Sequence, residues 1–213
     1  MLQFISIKIY KMFNKLFNKK QDTSNEIWLK YYDKTNSNEI LLEKSNDLAL
    51  VFPEFVKGDF IGVTDYLKKD NILVDEKKLE AIFKDICFYN IHLLSRLSQG
   101  YLPYAQYDLF INNFQKKLRP FISEILGGTD EVNYFINESN DFEIEYSSYR
   151  PYTPDLNGMA GVINWEFAKR ISKNLPDEAR TTFMLVYSAI FIAPTFTNLQ
   201  IPELLLGKRI RTA

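Results

Sequence analysis

Asp75-Glu-Lys-Lys-Leu-Glu-Ala-Ile-Phe-Lys-Asp-Ile-Cys-Phe-Tyr-Asn-Ile-His-Leu-Leu-Ser-Arg-Leu97 is the stretch on which the fold class turns. Leu79, Ile82, Phe83, Ile86, Leu93, Leu94 and Leu97 recur at three- and four-residue steps, the period of one helical face. Phe88, Ile91 and His92 add bulk to a second face, so this helix is expected to be covered on two sides and central. Ser98-Gln-Gly100 is its expected end.

Downstream, a second helix is expected from about Pro103, with Tyr107, Phe110, Ile111, Phe114, Leu118, Phe121, Ile122 and Ile125 facing inward. Pro120 should kink or split it, because proline lacks an amide donor and crowds the preceding turn. Gly127-Gly128 supplies a left-handed stop. Residues 129–157 allow two readings. Thr129-Asp-Glu opens like a capped helix that Val132, Phe135 and Ile136 continue. Phe142-Glu-Ile-Glu-Tyr146 alternates with period two instead, which predicts a short β-hairpin around residues 131–148 turning at Glu138-Ser-Asn-Asp141. Ser147 to Asn157, with Pro151 and Pro154, is expected as loop, and Gly158–Asn174 as helix. Pro176, followed by Asp177 and Glu178, marks the start of another helix, which carries the apolar run Phe183–Ala193 and stops before Pro194.

Upstream, a short helix is expected near Ile27–Tyr32 and a second one capped by Ser37, through Leu41, Leu42, Leu48 and Leu50. Pro53 should halt it, leaving residues 54–74 as loop with one short helix near Thr64–Lys69. The whole predicts a mainly α protein: a compact, bundle-like helical domain over residues 24–213, preceded by a distinct segment at residues 1–20. In that segment Lys8, Lys11, Lys15 and Lys19 form one stripe at about 100° per residue, beside an arc of Leu2, Ile5, Ile9, Met12, Phe13 and Leu16. Ile5, Ile7 and Ile9 also alternate as in a strand, and Met12 offers a second translational start.

Composition narrows the chemistry. A net charge of −1 argues against wholesale nucleic-acid binding, which usually leaves a strongly basic domain. The one cysteine, Cys87, excludes an internal disulfide and suits a reducing, cytoplasmic setting. With His92 as the one histidine, zinc sites built from several His and Cys ligands and paired Glu-x-x-His di-iron motifs are also excluded. The opening residues lack a basic leader, a long apolar core and a cleavage site, so no secretory signal is expected. The least polar window, Thr181–Pro202, is read as core helix, because its densest part is too short to span a bilayer. The Lys- and Asn-rich composition suits an AT-rich microbial or viral genome.

Catalytic motifs are missing. Cys87 and His92 stand five residues apart on different helical faces and are expected to be packed. Gly127-Gly-Thr has no following lysine, Gly207-Lys-Arg lacks the rest of a phosphate loop, and there is no G-x-S-x-G elbow. Glu143 and Glu145 would share a face if their segment were a strand, and a carboxylate-based enzyme remains one alternative. No cofactor is expected. The most informative feature is charge division: between Thr129 and Asp155 the acids are Asp130, Glu131, Glu138, Asp141, Glu143, Glu145 and Asp155, against Arg150 alone. Asp141, Glu143, Glu145, Tyr146, Tyr149, Arg150 and Tyr152 are therefore the candidate surface for a basic protein partner, as in an inhibitor or immunity-type protein. The other alternative is a peripheral membrane or assembly factor that uses Lys8, Lys11, Lys15 and Lys19.

Overall fold

Proline inside a helix removes one hydrogen bond and crowds the turn before it, at about 3 kcal/mol. Yet in the computed structural model α1 (Asn38–Lys69) runs through Pro53 without interruption. The reason lies in what the helix buries. Leu41, Ser45, Leu48, Phe52, Val56, Phe60, Val63 and Leu67 form one stripe at three- and four-residue steps, and all are buried. At roughly 1.5–3 kcal/mol per large apolar side chain, that stripe outweighs the proline and the exposed Gly58. The stop expected at Pro53 and the loop expected over 54–74 are thus both corrected: sequence punctuation yields to tertiary burial.

The structure describes residues 27–126, 129–148, 163–190 and 201–208. Among them are a 3-10 turn (Ile27–Tyr31) and seven α-helices, with no strand. After α1 come α2 (Glu76–Tyr101), α3 (Tyr104–Leu126), α4 (Thr129–Ser147), α5 (Ile163–Ser172), α6 (Asp177–Ile190) and α7 (Ile201–Leu206). The mainly helical, bundle-like expectation holds. Asp75 accepts a hydrogen bond from the Lys78 amide and so caps α2, and Ser37 does the same for α1 through Ile40. Helix α2 continues past Gly100 to Tyr101, and α3 continues past Pro120. The expected Gly127-Gly128 stop, the first residues of the 158–174 helix and the approach to Pro194 lie outside the described residues.

The hairpin around residues 131–148 is not formed; α4 occupies that segment. A strand would have put Phe142, Ile144 and Tyr146 on one face. The helix instead stacks Phe142 on Tyr146, four residues on, with ring centroids 3.8 Å apart, and turns Ile144 outward at 73% exposure. Phe142 also lies 5.5 Å from the Phe88 ring. Aromatic contact at i,i+4 selects the helical period over the alternation.

The described elements gather into two compact units. Residues 56–90, 137–148 and 163–190 form the first unit. Its core is aromatic: Phe60 meets Phe83 edge-on, Tyr66 meets Phe183, and Tyr89 stacks on Phe167 while donating to Asn164. Helix α2 supplies Phe83, Ile86, Phe88 and Tyr89 to this core, as its two-sided pattern predicts. Helix α6 is less enclosed than expected, since Phe183 is buried but Leu185 is exposed.

Residues 27–55, 91–126, 129–136 and 201–208 form the second unit. Phe52 meets Phe114 edge-on there, and Asn113 donates to Ser45 and Asn46 on α1. Helix α7 ends on Gly207, whose φ of 64° and close approach to the Tyr31 and Lys34 carbonyl oxygens leave no room for a Cβ. Its carbonyl accepts the Asp33 amide. Gly207-Lys-Arg is therefore a helix stop.

These two glycines should respond oppositely to alanine. Gly58→Ala, in an exposed helical position with open space around the new Cβ, is expected to raise unfolding free energy by about 0.5–1 kcal/mol. Gly207→Ala should lower it by at least about 1 kcal/mol. Urea midpoints of the two variants against wild type check both signs.

Candidate functional site

Arg170, in the last turn of α5, reaches two carboxylates of the first unit. Its Nε donates to Asp85 Oδ1 at 2.6 Å, and its terminal nitrogen donates to Glu145 Oε2 at 3.2 Å. The guanidinium also lies over the Phe142 ring, 5.1 Å from the centroid. Each reach has a local cause. Asp85 sits on the buried stripe of α2 one position before Ile86, and Glu145 precedes the buried Tyr146 on α4. Helix periodicity that buries the apolar neighbours brings both acids to the edge of the same core.

The Asp85 side chain is only 10% exposed. Burial pushes its carboxyl above the usual carboxylate range, and nearby Glu138 and Glu145 push the same way, while Arg170 opposes them. For Arg170, burial lowers the pKa, but Asp85 above all, with Tyr146 and Glu145, raises it, and the net shift is upward. The pair is charged and mutually dependent.

Beside it opens a groove of about 480 Å³ lined by Lys77, Glu80, Ala81, Lys84, Asp85, Phe88, Glu138, Arg170, Lys173 and Asn174. Lys84 and Glu138 face each other there at 3.9 Å, and Glu138 Oε2 accepts no hydrogen bond among the described residues. The groove is thus walled by charge on α2, α4 and α5.

The residues expected from sequence fare unevenly. Asp141 and Glu145 stand exposed on α4, beside the outward Ile144. Tyr146 does not: it is fully buried against Phe142, so it holds α4 to the core and presents no contact surface. Glu143 and Glu145 do not share a face, because two helical residues apart is about 200° of rotation. Tyr149, Arg150 and Tyr152 lie outside the described residues, as do Lys8, Lys11, Lys15 and Lys19. Cys87 is buried and its thiol is pushed up by burial, so it is a packed side chain without thiolate character. His92 is buried as well. Asp85 and Arg170 escaped the sequence reading, since they are 85 residues apart. The one local signal was an acid set inside an apolar stripe.

A second charged centre holds the other unit. Lys44 is fully buried, and its ammonium donates to Asn36 Oδ1 at 2.7 Å and to the Leu205 carbonyl at 3.1 Å. It lies over the Tyr31 ring, as do Lys30 and Lys34, while the Tyr31 hydroxyl and the Lys30 ammonium both donate to Asp47. Burial, then the Lys34 charge, lowers the Lys44 pKa to about 8. Burial and the Asp47 bond push the Tyr31 hydroxyl up to about 12. Among the described residues no helix is long and apolar enough to cross a membrane, and no three His, Cys, Asp or Glu side chains converge as metal ligands do.

Two outcomes follow for these centres. Arg170→Met strands a largely buried carboxylate and should destabilise by about 2 kcal/mol, between exposed and buried pairs. Asp85→Asn combined with Arg170→Met should cost less than the sum of the single changes, read by a double-mutant cycle in urea. For Lys44 the folded pKa of about 8 lies below the unfolded value of 10.5, so between those pH values the unfolded chain binds more protons and stability rises with pH. Lys44→Met should lose that rise. Urea midpoints at about pH 8 and pH 10, compared between wild type and variant, measure it; identical slopes would contradict it.

Comparison with protein families, curated proteins and solved structures finds no match, so the geometry alone carries the functional argument.

Proposed function

We propose that this chain acts by stoichiometric binding, as an inhibitor or immunity-type protein that captures a basic protein partner through the outer face of α4. The observation that carries the reading is Ile144, 73% exposed on that helix with Asp141 and Glu145 exposed on either side. An apolar anchor rimmed by carboxylates matches how interfaces divide their work. The buried centre supplies affinity, and the charged rim speeds encounter with a surface of opposite sign. The acids of the following segment, through Asp155, extend the same sign along the chain.

Rigidity supports the reading. Phe142 and Tyr146 lock the inner face of α4, and Arg170 holds Glu145 from behind. A preorganised face loses less entropy on binding. Glu145, half exposed, keeps lone pairs for a partner while bound to Arg170.

Affinity capture from the native source, wild type beside Asp141→Lys/Ile144→Asp, followed by mass spectrometry, tests the proposal. A basic protein held by the wild type and lost by the variant is expected. Surface plasmon resonance with that protein should then separate the roles. Asp141→Lys should slow association, by less as salt rises, because screening cuts the reach of each charge to about 8 Å at physiological ionic strength. Ile144→Ala should speed dissociation. The same captured set for both baits would refute the reading.

A further inference from the structure

The groove between α2, α4 and α5 has more cations than its acids use. Four basic side chains line it, Lys77, Lys84, Arg170 and Lys173, against the acids Glu80, Asp85 and Glu138. Asp85 is held by Arg170, which also holds Glu145, and Glu138 faces Lys84. Glu80 is engaged too. That leaves Lys77 on the α2 wall and Lys173 just beyond α5, whose ammonium groups have no hydrogen bond or ion pair among the described residues. Asn174 adds a neutral amide beside Lys173, and Ala81 with Phe88 gives the groove an apolar patch.

We propose that this groove binds a small organic phosphate monoester, its dianionic head between Lys77 and Lys173 and its apolar body against Ala81 and Phe88. Two ammonium ions on opposing walls answer a single group that carries two negative charges. The volume, about 480 Å³, falls in the range of small-ligand sites. The paired charges define the rest of the groove. Asp85, nine-tenths buried and fixed by Arg170, forms a wall that cannot swing out to neutralise the lysines. Specificity comes from the match of head and body together, since the lysines alone would attract any anion. The site is independent of the outer face of α4, so either can fail without the other.

Nuclear magnetic resonance titration of the full chain with inorganic phosphate and with phenyl phosphate tests it. Saturable shifts confined to residues 77–88, 138 and 170–174 are expected, with phenyl phosphate the tighter ligand. Lys77→Gln/Lys173→Gln should weaken phenyl phosphate by at least about tenfold, roughly 1.4 kcal/mol. Lys69→Gln, an exposed lysine outside the groove, should change nothing, and Lys77→Arg/Lys173→Arg should retain binding. Equal affinity for the two probes would mean an ion attracted to surface lysines and would overturn the proposal. So would unsaturable shifts, or equal weakening by the Lys69 control.

Discussion

A carboxylate taken out of water must meet a cation or surrender its charge, and Asp85 imposes that condition on the whole first unit. Its position on α2 is forced, because the apolar neighbours Ile82, Phe83 and Ile86 turn that stripe inward. Arg170 answers from α5, and in answering it fixes Glu145 of α4 and covers Phe142. Three helices far apart in sequence are thereby set in one register. An apolar pair at the same place would bury equally well, but it would not choose among rotations of α4 as a fork of directed donors does.

Lys44 plays the corresponding part in the other unit, with the sign reversed. A buried ammonium needs acceptors, and it finds the Leu205 carbonyl at the end of α7 and the Asn36 amide oxygen. A helix C-terminus carries unsatisfied carbonyls and partial negative charge, so cation and helix end satisfy each other. Gly207 then lets the chain turn against the Tyr31 and Lys34 carbonyls, where any side chain would collide. The six residues of α7 are too few to be stable alone, and this tertiary clasp makes them a helix.

The functional surfaces inherit these constraints. Locking the inner side of α4 with Phe142 and Tyr146 is what commits Ile144, Asp141 and Glu145 to solvent. Fixing Arg170 on Asp85 is what leaves Lys77 and Lys173 as surplus charge at the groove. Both surfaces are by-products of satisfied interiors, which is why each is rigid without a catalytic constellation behind it.

Periodicity alone determined the helical class and the centrality of α2, because burial of a two-sided stripe shows in three- and four-residue spacing. Composition alone limited the metal and disulfide chemistry, because one cysteine and one histidine cannot build those sites. The acidic bias after Thr129 was legible for the same reason: charge is counted, not folded. What only the tertiary structure decided were the competitions. Pro53 against the buried stripe of α1, and alternation against an aromatic i,i+4 stack in α4, were each settled by energies that arise between segments. Asp85 with Arg170, and Lys44 with Leu205, were invisible for the same cause. A pairing across 85 or 161 residues leaves no local pattern, because folding, not spacing, brings its partners together.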